Sequence, residues 1–240
     1  MRTDILGVPF DNVTMEQAVE TSISLIENHS RAYAVTPNPE IVMLCRDDER
    51  LAEIIRCADL VLADGIGVII GGKILGTPIK QKIPGIDFAE QVIAELARRG
   101  MSVYLLGAKP SVAEEAGRRL ALKYPGLVIA GTHDGYFADD RPVIEAINAV
   151  RPDLLLVCLG APKQEYWISD NRDKLDVGLM AGLGGSLDVF AGKVERAPKT
   201  WQKLGLEWLY RLIKEPKRIK RMAKLPLFIF AAVGRRIRGK

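Results

Sequence analysis

The sequence predicts an α/β protein: a Rossmann-like, open, mostly parallel sheet with helices on both faces, followed by a basic helical appendage. Three observations predict it. Short runs rich in β-branched residues alternate with amphipathic stretches of helix length, the order that builds parallel sheets. Runs such as Leu154-Leu-Leu-Val-Cys-Leu159 are apolar at every position, so helices must cover both faces of the strand. The last thirty residues, Arg211 to Lys240, carry eleven Lys or Arg and one acid, Glu215, whereas the preceding 210 residues carry a net charge of −6.

Taken in order, strands are expected at Tyr33–Thr36, Leu60–Ala63, Val103–Gly107, Val128–Thr132, Leu154–Leu159 and Gly178–Ala181. Helices are expected at Thr14–Glu27, Glu40–Cys57 (broken near Asp47), Ile66–Leu75, Asp87–Arg99, Ser111–Lys123, Arg141–Val150 and Lys163–Asp173. Thr14-Met-Glu-Gln17 and Ser111-Val-Ala-Glu114 both match the capping-box pattern, a hydroxyl residue followed three later by Glu or Gln. The tail begins with Leu204, Trp208, Leu209 and Leu212 at helical spacing, and Pro216 should kink that helix or start another.

With 240 residues, 48% of them apolar, a core over 1–200 and an appendage over 201–240 are expected. No apolar segment of signal length follows Met1-Arg-Thr-Asp. The longest apolar run, Leu225-Pro-Leu-Phe-Ile-Phe-Ala-Ala-Val233, is far below the ~20 residues of a spanning helix. The chain is therefore expected to be neither secreted nor membrane-spanning. Cys45, Cys57 and Cys158 form no C-x-x-C and read as buried thiols of a reducing compartment. His29 and His133 are far apart, and no metal site is expected.

In open α/β sheets ligands bind beyond the carboxyl ends of the strands. Thr36-Pro-Asn-Pro-Glu40 follows the first core strand, a rigid turn that offers hydroxyl and amide groups or simply caps the next helix. Asp64-Gly-Ile-Gly67 places a carboxylate at a strand end, beside glycines that admit a ligand, although an Asp there also suits a helix N-cap. Gly107-Ala-Lys-Pro-Ser111 exits a strand into a helix, a geometry suited to phosphate. Gly160-Ala-Pro-Lys-Gln-Glu-Tyr-Trp167 is too rich in functional groups for a plain connection, and Gly182-Leu-Gly-Gly-Ser-Leu-Asp188 exposes backbone before another helix. There is no Walker A, G-x-S-x-G, H-E-x-x-H or D-x-D motif. Nucleotide phosphates would then be met by backbone N–H groups and cationic side chains.

Together, Thr36-Pro-Asn-Pro-Glu, Ala63-Asp-Gly-Ile-Gly, Pro84-Gly-Ile-Asp, Gly160-Ala-Pro-Lys-Gln-Glu, Arg196-Ala-Pro and Gly205-Leu-Glu-Trp-Leu-Tyr-Arg211 resemble the WecG/TagA/CpsF glycosyltransferase family from about residue 5 to 225. The resemblance implies an inverting, metal-independent transferase without a cofactor. It would move a sugar, typically N-acetylmannosamine from its UDP form, onto N-acetylglucosamine linked by diphosphate to undecaprenol, the linkage unit of wall teichoic acid. Relatives that use mannosaminuronic acid or other sugars in capsule or exopolysaccharide synthesis give the alternative. By position, Asp64 matches the general base, and Thr36, Asn38 and Gln164 match the pocket around it. Lys82 stands where the family usually has Arg; it keeps the charge but cannot form a two-pronged contact with phosphate. Arg211, Arg218 and Arg221 match positions proposed to hold the lipid diphosphate. Gly107, Gly160, Gly184 and Asp188 are expected on the nucleotide side, with Asp188 at the uridine or ribose.

The tail fits this reading. A basic segment gains roughly 1 kcal/mol per Lys or Arg near an anionic leaflet, and the 225–233 wedge adds apolar burial. Trp201, Trp208 and Tyr210 suit the headgroup level. The protein is expected on the inner face of the bacterial cell membrane, bound peripherally from the cytoplasm. Nucleic acid would explain the charge but not the wedge. The wedge also suits contact with a neighbouring subunit in a homo-oligomer. A rival of another class is a nucleotide- or membrane-binding scaffold without catalysis.

Overall fold

The structure, a computed structural model, describes residues 1–214, 216, 219 and 223–239. As predicted, an all-parallel six-stranded sheet forms the centre. Numbered from the N-terminus, its strands are β3 (Ala32–Val35), β4 (Leu60–Val61), β5 (Ser102–Gly107), β6 (Val128–His133), β7 (Leu154–Cys158) and β8 (Leu179–Gly182), in the order β4-β3-β8-β7-β5-β6. Their side chains alternate between two cores. Tyr33, Val35, Leu155 and Val157 enter one core, with helices α2 (Pro39–Cys45), α3 (Glu49–Arg56), α7 (Arg141–Val150) and α8 (Lys163–Asn171). Ala32, Ala34, Leu154 and Leu156 enter the other, with α1 (Met15–Glu27), α5 (Gly85–Arg99) and α6 (Val112–Lys123). Burial on both faces explains why β7 lacks a polar position.

Local chemistry sets most boundaries. The Thr14 capping box forms: its hydroxyl accepts from Gln17 N–H, and the Gln17 side chain accepts from Thr14 N–H. The expected break near Asp47 is real, with Asp48 capping α3 through Leu51 N–H at 3.0 Å. The second expected box does not form. Ser111 lies at φ 67° and makes no side-chain cap, because the loop after Gly107 turns through left-handed conformations that take its hydroxyl out of capping geometry. One thiol also departs from expectation: Cys57 is exposed and donates to Glu53 Oε1 at 3.2 Å, whereas Cys45 and Cys158 are buried.

An N-terminal hairpin, β1 (Arg2–Ile5) and β2 (Val8–Asp11), escapes the sequence pattern, since its two-residue turn is Leu6-Gly7 and not the usual Asn-Gly. Arg2 and Asp11 fasten it to the sheet edge, Arg2 through the carbonyls of Arg56 and Ala58 and Asp11 through Val61 N–H.

The tail does not begin as one helix. After α9 (Ser186–Phe190) come α10 (Lys199–Lys203), a turn at Gly205, then α11 (Glu207–Lys214). Leu204 therefore leaves the face shared by Trp208 and Leu212 and is exposed. The last helix, α12 (Lys224–Ile237), packs on α4 (Ile66–Leu75). Phe228 and Ala232 are fully buried in the core that holds β1 and β2. A Cβ on Gly71 would lie 2.6 Å from the Phe228 ring, so glycine is what lets the two helices meet. Asp4 pairs with Arg235 at 3.1 Å, and Arg236 reaches the Leu75 carbonyl. One face of the apolar 225–233 wedge is thus part of the body, while Leu227, Phe230 and Val233 face outward. Among the described residues, no helix is long and apolar enough to cross a membrane.

Because Phe228 is core, Phe228→Ala should destabilise the whole chain by roughly 3–5 kcal/mol, read as a lower urea midpoint in one cooperative transition. A separate early transition confined to the tail would contradict this.

Candidate active site

Thr36, Asp64, Gln164 and Gly182 lie at or just past the carboxyl ends of β3, β4, β7 and β8, the ligand-binding edge of an open parallel sheet. Asp64 stands just past β4, held by its N–H to the Pro37 carbonyl at 3.2 Å, while Ile83 N–H bonds to the Ala63 carbonyl at 2.8 Å. That second bond brings the 82–85 segment against the carboxylate. Burial raises the Asp64 pKa; Arg211 opposes the rise, Glu207 adds to it, and the Gly85 N–H and Lys82 again oppose it. The outcome is a carboxyl pushed up to about 6.

The other pocket residues join by short links. A Cβ on Gly85 would stand 3.0 Å from Thr36 Oγ1, and that hydroxyl points at the Gly182 carbonyl at 3.5 Å. Gln164 lies against Gly182 on the other side and accepts from Gly184 N–H at 2.8 Å. Its amide donates to Glu165 Oε1 at 2.9 Å. Asn38 has a definite structural duty, since Oδ1 caps α2 by accepting from Ile41 N–H at 3.1 Å. The structure therefore brings together Thr36, Asp64, Lys82, Gln164 and Arg211, with Asn38 at the adjoining helix start. Arg218 and Arg221 lie outside the described residues.

Several members of the site are not singled out by the sequence. Glu165 is buried, burial pushes its carboxyl upward, and Oε2 has no hydrogen-bond partner. It packs beneath Gln164 and fixes that amide. Asp87, Arg196 and Glu207 form a chain of charge: Arg196 pairs with both oxygens of Asp87, and its Nε lies 3.8 Å from Glu207, which Arg211 meets at 3.4 Å. This chain ties α11 to the N-terminal turn of α5 and so places Arg211 beside Asp64. These residues lie in three separate segments of the chain, and only the fold pairs them.

A second cavity, of about 710 Å3, opens past β5, β6 and β7, lined among others by Lys109, Tyr136, Phe137, Lys163 and Asp188. Of the glycines expected here, Gly107 does not line the cavity but directly precedes its wall residue Ala108: at φ 131°, it presses on the Cys158 backbone, where any Cβ would collide. Gly160 and Gly184 have positive φ and open space above them, outside the cavity wall. Lys163 stands 5.5 Å over the Phe137 ring and donates to the Gly135 carbonyl. The Asp134-Gly-Tyr-Phe137 loop supplies the aromatic wall. Its signal in the sequence is weak, a Gly between polar and aromatic residues after an edge strand. Cys158 is pushed up to about 12 by burial, which makes it an inert wall. Among the described residues no three His, Cys, Asp or Glu side chains gather as a metal cluster would.

The family model described as the glycosyl transferase WecG/TagA/CpsF family matches residues 3–240. The chain is 38% identical over 231 residues to an N-acetylglucosaminyldiphosphoundecaprenol N-acetyl-beta-D-mannosaminyltransferase of Staphylococcus aureus (strain MW2), covering 95% of this chain and 91% of the relative. Enzymes of the same name from strains NCTC 8325 / PS 47 and COL show the same identity and coverage.

An acid whose folded pKa lies above its unfolded value of 3.8 destabilises the fold as pH rises between the two, and the penalty persists above both. Asp64→Asn removes that penalty. Its melting temperature should therefore exceed that of the wild type at neutral pH, and the gap should close as pH falls toward about 4. A gap independent of pH, measured by calorimetry across that range, would show that Asp64 is not held in this way.

Proposed function

Because the chain belongs to the WecG/TagA/CpsF glycosyltransferase family, we propose that it transfers N-acetylmannosamine from UDP to N-acetylglucosamine-diphospho-undecaprenol, the linkage step of wall teichoic acid synthesis. The observation that carries this reading is Asp64. It is a recessed carboxylate at a strand end with pKa near 6, flanked by cations from two separate segments. At neutral pH it is ionised yet basic enough to accept a proton.

In the proposed reaction an acceptor hydroxyl attacks the anomeric carbon of the donor from the face opposite UDP. The bond from that carbon to the UDP oxygen breaks, UDP departs with the electron pair, and Asp64 takes the hydroxyl proton. Inversion follows from the single displacement. The UDP moiety would lie in the cavity past β5 and β7. There Lys109 and Lys163 offer charge to the departing phosphate, Tyr136 or Phe137 an aromatic face to uracil, and Asp188 an acceptor for ribose hydroxyls. No metal or cofactor is assigned a step. Gln164 and Thr36, which meet at Gly182, would orient the transferred sugar. Lys82 and Arg211 would hold the acceptor diphosphate. Arg218 and Arg221 would join them.

The proposed acceptor is membrane-anchored, and the outward surface of α12 suits a bilayer: Leu227 and Ile237 are exposed, with Lys224 and Arg238 at the two ends of the helix. Peripheral binding at the cytoplasmic face follows from this reading.

With labelled UDP-sugars and a lipid-linked acceptor, Asp64→Asn should lower kcat by roughly 10²–10⁴-fold with little change in UDP affinity. Wild-type kcat/KM should rise with pH through an inflection near 6, since protonation silences the base. Undiminished transfer by Asp64→Asn would remove it as base. UDP binding without turnover on any donor would point to a non-catalytic scaffold, and preference for another UDP-sugar would reassign the donor.

A further inference from the structure

α12 is held to the body by one face, Phe228 and Ala232, and by Leu225 against Gly67. Its next face does something else. Together with α11 it walls an apolar groove of about 530 Å3, lined by Trp208 and Leu212 on one side, Leu225, Ile229 and Phe230 on the other, and Ile219. Ile219 and Phe230 are 60% and 73% exposed, a concave apolar surface that water does not favour. The groove's α11 wall adjoins the acid site. Trp208, Arg211 and Leu212 are three and four residues apart and share one side of α11. Arg211 Nε is buried without a hydrogen-bond partner, and its guanidinium is close enough to lower the Asp64 pKa. The apolar groove thus abuts, along α11, an arginine whose Nε has no hydrogen-bond partner while its far end pairs with Glu207.

We propose that this groove seats the isoprene units of the acceptor nearest its diphosphate, drawing that part of the chain out of the bilayer. The proposal rests on the glycosyltransferase reading for its ligand and goes beyond it by giving the polyprenyl chain a protein site. Charge order selects the occupant. A ligand here must place an anion at Arg211 and continue as an uninterrupted apolar chain along the groove, which describes a prenyl diphosphate. A concave wall fits a single chain. A flat leaflet would instead meet Leu227 and Ile237, which are exposed and do not line the groove.

The test is made without membrane or detergent, using soluble acceptors in which N-acetylglucosamine-diphosphate carries one, two, three or four isoprene units. Wild-type kcat/KM should climb by roughly tenfold or more over the first few units and then level off as the groove fills. In Ala223→Trp, which fills the groove from its rim, and in Phe230→Ser, which removes a wall, the ratio of long-chain to short-chain kcat/KM should fall toward one. Because a ratio is read, partial loss of folded protein cancels. A flat wild-type series, or a chain-length gain that emerges only with anionic vesicles and tracks vesicle binding, would overturn the proposal in favour of bilayer contact. A second readout stands apart from catalysis: geranylgeranyl diphosphate should shift Trp208 emission in the wild type, while inorganic diphosphate should not. If no sugar is transferred to any acceptor but this shift persists and is lost in Phe230→Ser, the transferase reading fails and the groove assignment stands. If the shift is missing, the groove assignment fails regardless of turnover.

Discussion

On the proposed reaction, a carboxylate at the end of β4 has to remain basic without losing its charge, and the groups packed around Asp64 bear on that requirement. Burial alone would protonate Asp64; strong pairing would make it too weak a base. The structure sets opposing influences around it. Arg211, the Gly85 N–H and Lys82 pull the pKa down, and Glu207 pushes it up. Glu207 matters twice, because it also anchors Arg211 and draws Arg196, which is fixed by Asp87. The basicity of one side chain is thereby coupled to the position of α11.

That coupling explains why the tail is built into the body and is not merely tethered to it. Phe228 enters the same core as the N-terminal hairpin, and the glycine face of α4 lets α12 approach within packing distance. A docked α12 leaves one apolar surface against α11 and another facing out. The tail, whose +10 charge is visible in composition, thus ends in an element with three different faces: one structural, one lining a groove, one exposed.

The sheet was legible because strands buried on both faces read as unbroken apolar runs; the segments holding Thr36, Asp64 and Gln164 stood out at strand ends, where α/β folds bind ligands, and only the resemblance picked these residues within them. Other features were hidden for physical reasons. The 2–11 hairpin turns at Leu6-Gly7, where no standard turn signal exists. Ser111 matches a capping pattern but sits in a left-handed conformation imposed by the loop after Gly107. Leu204 keeps helical spacing with Trp208, yet Gly205 ends the helix between them. Cys57, counted as buried with the other cysteines, ends α3 at the surface.

By itself the sequence determined the layered α/β class, the family and the concentration of charge in the tail. All of these follow from patterns that repeat locally or from segments read one at a time. Tertiary structure alone decided that Arg196 bridges Asp87 and Glu207, that Arg211 shares the environment of Asp64, and that Phe228 is core while Phe230 is not. Each depends on the distance between segments far apart in the chain, and neither periodicity nor composition contains that distance. Charge and apolar surface acquire their effect only from what the fold sets beside them.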